Sequence, residues 1–364
     1  MDPGTHTLLG LTLAQSGLGR RDRLATAALV IGANLPDVDA FLYLGGGSDL
    51  ALWCRRGWTH GVLALALWPF VLTGLLLAYA RWRPAEDGRR SRAGTLLPLS
   101  CLALLTHPTL DWLNTYGLRW LMPFDGRWFY GDAWFIADPW VWLTLGGALF
   151  FGAPAGRRSA ATWAVVGVLM SLLVLGPMPP RAARIVWVLA LFTLVAARFL
   201  LPRTAPDRWA RLALAAVTLY AVTMLGLSRA GSRIARAELA RRGITELDGL
   251  MVGPLPANPF LWEVVVATPE AYRFGWIDWI AQPRFALDTH TIPRLAITPV
   301  IGAARDAPSV RGFVNWARFP WYEVEESPAG FTVHMMDARY ARGRRRGFGG
   351  ATVELDRELH PSDR

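Results

Sequence analysis

The sequence predicts an all-α polytopic membrane bundle, about seven spans plus an N-terminal partial helix, followed by a C-terminal β-rich extracytoplasmic domain. Three observations lead there. Hydrophobic residues make up 53% of the 364-residue chain and its mean hydropathy is +0.27, well above a soluble domain of this size. Apolar runs of about 20 residues, enough to cross a roughly 30 Å hydrocarbon layer, recur through the first 229 residues. Beyond residue 230 those runs give way to segments of period-two alternation.

In chain order, residues 5–19 are apolar but short for a span, so they read as a partial or re-entrant helix. Spans are expected over 24–44, 60–80, 95–113, 139–153, 161–178, 184–201 and 209–228, the fourth short enough to be tilted or partly interfacial. Arginine-rich turns fall between alternate spans: Arg20, Arg21 and Arg23; Arg81, Arg83, Arg89, Arg90 and Arg92; Arg157 and Arg158; Arg203 and Arg208. The positive-inside rule makes these turns cytoplasmic and turns the others, with Arg55, Arg56, Arg119, Arg127, Arg181 and Arg184, outward. The β-rich domain is expected over 230–345, with FLWEVVVAT, YRFGWIDWI, RFPWYEVEE and GFTVHMMDA as strands. The alternation of spans places it outside the membrane, on the side away from the cytoplasm. Residues 346–364 read as a flexible tail.

The net charge of +10 comes from short arginine clusters between apolar runs, which orients a chain in a membrane and argues against nucleic acid as a partner. Cys54 and Cys101 lack the spacing of a metal knuckle or a redox pair and read as packing residues. The N-terminus places its basic cluster after the apolar stretch, the reverse of a signal peptide, so no cleavage is expected.

Against this apolar background the ionisable residues stand out. Each one inside a span costs about 2.5–3.5 kcal/mol even on insertion scales, so each is a functional hypothesis. Asp37 and Asp39 sit in GANLPDVD, two apart, where a regular helix would point them in different directions. Pro36 removes a backbone donor, and the opened backbone is expected to turn both carboxylates toward one ion. His60 lies at the mouth of the second span, and His107 and Asp111, four apart, share a helical face with Asn114. His6 lies fourteen residues before Arg20 and Asp37 fourteen after Arg23, so a hairpin sets them at one depth, toward the outer face. Asp132 and Asp138 precede the fourth span and are expected to close the site, or simply to cap a helix.

Mixed imidazole and carboxylate ligands suit zinc first, with manganese or iron as alternatives, better than magnesium or calcium. Ligands His6, Asp37, Asp39, His60, His107 and Asp111 exceed what one tetrahedral ion needs, so one ion with a nearby base and two ions both remain open. Asp39 or Asp138 is the expected general base. Arg55, Arg56 and Asn114 are expected at substrate, the arginines holding an anionic head group or else anchoring the interface. The bland alternatives are an interfacial His60 beside Trp58 and a structural His107–Asp111 pair. His290, His334 and His360 read as ordinary surface or core residues.

At these residues the chain resembles the YdjM-like family of bacterial inner-membrane proteins, described as predicted metal-dependent hydrolases. The matching pieces are THTLLG, GANLPDVD, RRGWTHG, HPTLDWLNTYG and FIADPW, all within residues 1–145. One departure is Gly61, where the family commonly has a small hydroxylic residue. The resemblance implies a hydrolase with His and Asp metal ligands at those positions. A site at the outer interface implies a membrane lipid or lipid-linked ester or phosphoester as substrate. The competing expectations are a transporter or ion-binding protein using the same cluster, and a non-catalytic membrane scaffold.

Overall fold

In the computed structural model of the chain, residues 1–45, 47–86, 88–200, 205–341 and 349–362 are described. Arg203 and residues 346–348 and 363–364 of the expected tail lie outside them. The helices of the first part are α1 Pro3–Gln15, α2 Ala25–Asn34, α3 Leu42–Gly45, α4 Gly47–Cys54, α5 Val62–Trp82, α6 Ala93–Trp112, α7 Pro139–Gly152, α8 Arg157–Val174, α9 Arg181–Leu200 and α10 Pro206–Arg241. Among the described residues, six stretches are long and apolar enough to cross a membrane: 25–45, α5, α6, α8, α9 and α10. The expected fourth span falls short. At 14 residues α7 rises only about 21 Å. The last helix corrects the sequence reading the other way, because the apolar run ends near residue 228 while the helix continues, past Gly231 and Ser232, on a stretch rich in Ala, Arg, Glu and Leu, all good helix formers, to Arg241.

The chain forms two compact units: residues 1–38, 56–229 and 253–260 in one, and 39–55, 230–252 and 261–364 in the other. In the first unit, α1 starts on an Asp2 cap whose carboxylate accepts from Thr5 N at 3.0 Å, with Pro3 at the first helical position. The helices meet through small residues. A Cβ on Gly10 would lie 2.8 Å from the Leu29 carbonyl, and one on Gly32 would lie 2.8 Å from Ala103 Cβ, so glycine lets α2 close on both α1 and α6.

The basic turns of this unit gather at one end. Arg23 donates to the Ala80 and Arg83 carbonyls at 2.8 Å each, and Asp22 accepts from Ser91 Oγ at 2.7 Å. Arg20 faces Asp207 at 3.6 Å, and Gln15 donates to Ala148 and Pro206. At the other end the loop 113–138 folds back on the C-terminus of α6: Gly131 N reaches the Trp112 carbonyl and Ala133 N the Leu113 carbonyl, both at 2.7 Å. After α2 the backbone tightens into a 3-10 stretch, Leu35–Phe41, where Pro36 denies the helix a donor.

One sheet is ordered β1 Gly249–Leu255, β2 Asn258–Ala267, β3 Ala271–Asp278 and β4 Phe285–Pro293, all of it in the second unit except residues 253–255 and 258–260. A second sheet runs β5 Pro320–Ser327, β6 Gly330–Asp337 and β7 Gly350–Leu355, with α11 Pro299–Asp306 and α12 Arg311–Trp316 between the sheets in sequence and α13 Ala338–Ala341 after β6. All four segments predicted as strands are strands. The expected tail contributes one more, β7, paired from Phe331↔Leu355 to Met336↔Gly350 with Val353 and Leu355 buried. Arginine and glycine around it hide a short alternation, ATVEL.

One apolar core joins the two sheets through Met251, Val265, Phe274, Phe319 and Met336. Within it Asp337 pairs with Arg339 at 2.8 Å and accepts from the backbone of Arg318 at 2.7 Å. Burial would raise the Asp337 carboxyl, and the Arg339 guanidinium overrides it and holds the group below the usual carboxylate range. The 39–55 segment belongs here too: Asp49 accepts from Gly312 N at 2.6 Å and Phe313 N at 3.3 Å, capping α12.

Candidate metal centre

Three separate elements bring ligands to one point in the helical unit. The 3-10 stretch after α2 supplies Asp37, the turn before α5 supplies His60, and the last turns of α6 supply His107 and Asp111. One donor atom from each of the four lies within 4.8 Å of all the others. His60 and His107 approach Nε2 to Nε2 at 3.1 Å. Asp111 Oδ2 stands 3.4 Å from His60 Nε2 and 3.5 Å from His107 Nε2, and Asp37 Oδ1 stands 3.9 and 3.8 Å from the same atoms. A tetrahedral ion with bonds of 2.0–2.1 Å needs neighbouring donors roughly 3.3 Å apart.

The second contacts aim these donors. His107 Nδ1 lies 2.7 Å from the Ala33 carbonyl and must donate to it, which leaves a lone pair on Nε2. His60 Nδ1 sits 2.8 Å from Thr59 Oγ. When His60 Nδ1 carries its proton toward Thr59 Oγ1, the two Nε2 lone pairs face each other, the arrangement a cation held between them requires. The turn that sets His60 is tight: Gly61 N donates to the Gly57 carbonyl at 2.7 Å and Val62 N to the Trp120 carbonyl at 2.8 Å. A Cβ on Gly61 would collide with the Met122 carbonyl, which accounts for glycine at that position.

His6 joins this layer from α1. Its ring stacks on His107 with centroids 3.8 Å apart, and its Nε2 lies 3.4 Å from Asp111 Oδ1. His6, His60, His107 and Asp111 are completely buried, and neither ring nitrogen of His6 has a hydrogen-bond partner. The expected depth match of His6 and the Asp37 layer is therefore met. Asp111 Oδ1 also takes the Met1 ammonium and, at 3.1 Å, Arg56 Nη2. The donor set, its spacing and its unsatisfied nitrogens fit a divalent ion.

Other expected residues go elsewhere. Asp39, expected to share the ion with Asp37, is instead ion-paired to Arg55 at 2.5 Å, because the tight 3-10 turn separates the two carboxylates. Asp138, expected to close the site, caps α7 through Trp140 N at 2.9 Å and accepts from Tyr220 Oη at 2.9 Å. Arg56 is buried, packs 4.5 Å from the Tyr116 ring centroid, and donates to Asn114 Oδ1 at 3.0 Å as well as to Asp111. Asn114 Oδ1 also accepts from Tyr116 N at 2.9 Å. These two orient Asp111 and were not legible as such, because Arg56 reaches it from a backbone with φ of 50° that nothing in RRGWTHG announces. His360, read as ordinary, stands on the surface 3.5 Å from Asp356.

A helical membrane protein with a buried histidine–aspartate cluster able to hold a metal ion is the class these features define. The chain belongs to the YdjM inner membrane protein family, whose profile matches residues 1–183 and so contains the whole cluster. It is similar to YfhP of Bacillus subtilis (strain 168), described as an uncharacterized protein, at 27% identity over 154 residues, 40% of this chain and 44% of that relative. The match thus spans less than half of the relative's length. No solved structure matches the chain.

Proposed function

We propose that the chain is a membrane-embedded, metal-dependent hydrolase acting at the outer interface of the inner membrane on a lipid or lipid-linked ester or phosphoester. One observation carries this reading: two imidazole nitrogens 3.1 Å apart, with a carboxylate oxygen of Asp37 and of Asp111 each 3.4–3.9 Å from both, the rings aimed by Ala33 and Thr59. Asp37, His60, His107 and Asp111 are the ligands, and zinc is the ion that suits them first. When bound, the ion lowers the pKa of a water and polarises the scissile group. Arg56 and Asn114 hold Asp111 in register. His6, with unpartnered ring nitrogens beside Asp111 Oδ1, takes over the proton-holding role expected of Asp39 or Asp138, both of which are committed elsewhere. The gathering of basic turns at the opposite end of the unit supports an outward-facing cluster.

The test is metal analysis and turnover of the purified full chain against an Asp37→Ala, His107→Ala double variant, on a panel of lipid esters and phosphoesters. The reading requires stoichiometric metal and chelator-sensitive hydrolysis in the native protein, and neither in the variant. Metal retained by the variant would overturn the site. Metal bound without hydrolysis would overturn the activity in favour of a transport or scaffold role. A reporter fused after residue 235 that reads cytoplasmic would reverse the sidedness.

A further inference from the structure

Residues 39–55 form a hairpin closed at its neck. Asp39 and Arg55 are ion-paired there, and α3 packs on α4 within it. One side of the hairpin is fastened to the second unit. Asp49 caps α12 through Gly312 N and Phe313 N, and Ala51 is fully buried. A Cβ on Gly312 would collide with the Asp49 carbonyl, so α4 and α12 meet backbone to backbone. The other side is apolar and open: Phe41 is 70% exposed and Leu44 84%, and Tyr43, Leu50 and Trp53 are exposed as well. A spacing of three sets Phe41 beside Leu44 and Leu50 beside Trp53.

The hairpin has three charged residues, Asp39, Asp49 and Arg55, and each is engaged at the neck or on α12. Its open side is therefore aliphatic and aromatic, with no charge to desolvate. A protein-binding surface surrounds such a core with a polar rim, whereas side chains that enter a bilayer interface combine leucine and phenylalanine with the amphipathic rings of tryptophan and tyrosine. The hairpin also continues a stretch, 25–45, that is long and apolar enough to cross a membrane, so its open side begins at membrane depth.

We propose that this hairpin is an interfacial anchor whose partner is the lipid surface. Phe41, Tyr43, Leu44, Leu50 and Trp53 enter the boundary between head groups and acyl chains, and α4 lies along that plane instead of carrying the chain into water. Through Asp49 and α12 the anchor ties the β-rich unit to lipid. The chain enters the hairpin two residues after Asp37 and leaves it beside Arg56, so both connections to the metal cluster start from the lipid surface. The anchor depends neither on a bound ion nor on hydrolysis.

Spin labelling of the full chain in phosphatidylcholine–phosphatidylglycerol vesicles tests it, on a Cys54→Ala, Cys101→Ala background. Labels introduced by Leu44→Cys and Leu50→Cys are compared with Leu75→Cys on the exposed face of α5 and Ala329→Cys in the turn between β5 and β6. Collision with oxygen, which concentrates in lipid, is measured against collision with a nickel chelate, which stays in water. Positions 44 and 50 should both show an oxygen-to-nickel ratio several-fold above position 329 and approaching position 75. Leu44→Asp, which puts a charge on the open side, should lower the ratio at position 50 roughly twofold or more. Trp53→Cys, on the same face, replaces Leu50→Cys if that variant fails to fold. Lipid contact at position 44 with water at position 50 would mean a plain span end and overturn the anchor. Water at both positions, or spin–spin broadening that vanishes on dilution with unlabelled chain, would overturn it in favour of a protein partner or a second copy.

Discussion

Two assemblies of buried charge sit in this molecule, and they are built to opposite plans. In the β-rich unit, Asp337 is fully buried, and its oxygens are met by the Arg339 guanidinium at 2.8 and 3.0 Å and by the backbone of Arg318 and Arg339. Every demand of that carboxylate is answered from within. In the helical unit, Asp111 is equally buried among three imidazoles, yet its Oδ2 lacks a hydrogen-bond partner and His6 lacks any. Burial alone therefore does not distinguish a site from a structural pair. What distinguishes them is whether donors and acceptors balance.

The sharpest way to break the comparison is to remove one member from each assembly. His60→Ala should drop bound metal from about one ion per chain to a small fraction, read by elemental analysis, since three remaining donors hold zinc poorly. Asp337→Ala should leave metal in place and cost about 3–5 kcal/mol in denaturant unfolding, because Arg339 then stays buried without its partner. If the two phenotypes were exchanged, the assignment of site and structural pair would be wrong. A smaller effect sharpens the metal side: Thr59→Val should weaken metal affinity about 10- to 100-fold in a chelator competition, by releasing the His60 ring.

The smallest effect is a pH dependence. The Asp337 carboxyl is depressed in the fold, so its contribution to stability is complete above the ordinary carboxylate range near pH 4 and is lost as pH falls through its lower folded value. Native chain should thus lose β-unit stability on acidification below that range, and Asp337→Ala should not show that increment.

The helical cluster was legible because ionisable residues in apolar spans are conspicuous and hairpin arithmetic sets them at one depth. Asp37, His60, His107 and Asp111 all follow from that reasoning. Asp39 does not, since which of two neighbouring carboxylates faces inward depends on how a seven-residue 3-10 stretch winds, and no periodicity encodes that. Asp138 could be read only as a cap or a site residue for a related reason: an aspartate before a proline-started helix looks the same in sequence whether it caps, as its side chain does here, or catalyses. The four strongly alternating strands were legible, while β4, half of whose side chains are polar or exposed, offered no such pattern. The length of α10 was hidden because hydropathy reports where a helix leaves apolar surroundings, not where it stops.

The order of the ligands along the chain also fixes a timetable. Asp37, His60 and the His107–Asp111 pair leave the ribosome one after another, each on a different element, and the Ala33 carbonyl that fixes His107 waits on α2 for a helix made some seventy residues later. No two of the three elements can close a four-donor shell alone. The four-donor cluster is therefore complete only once α6 has been made, while α7–α10 and the β-rich unit are still to follow.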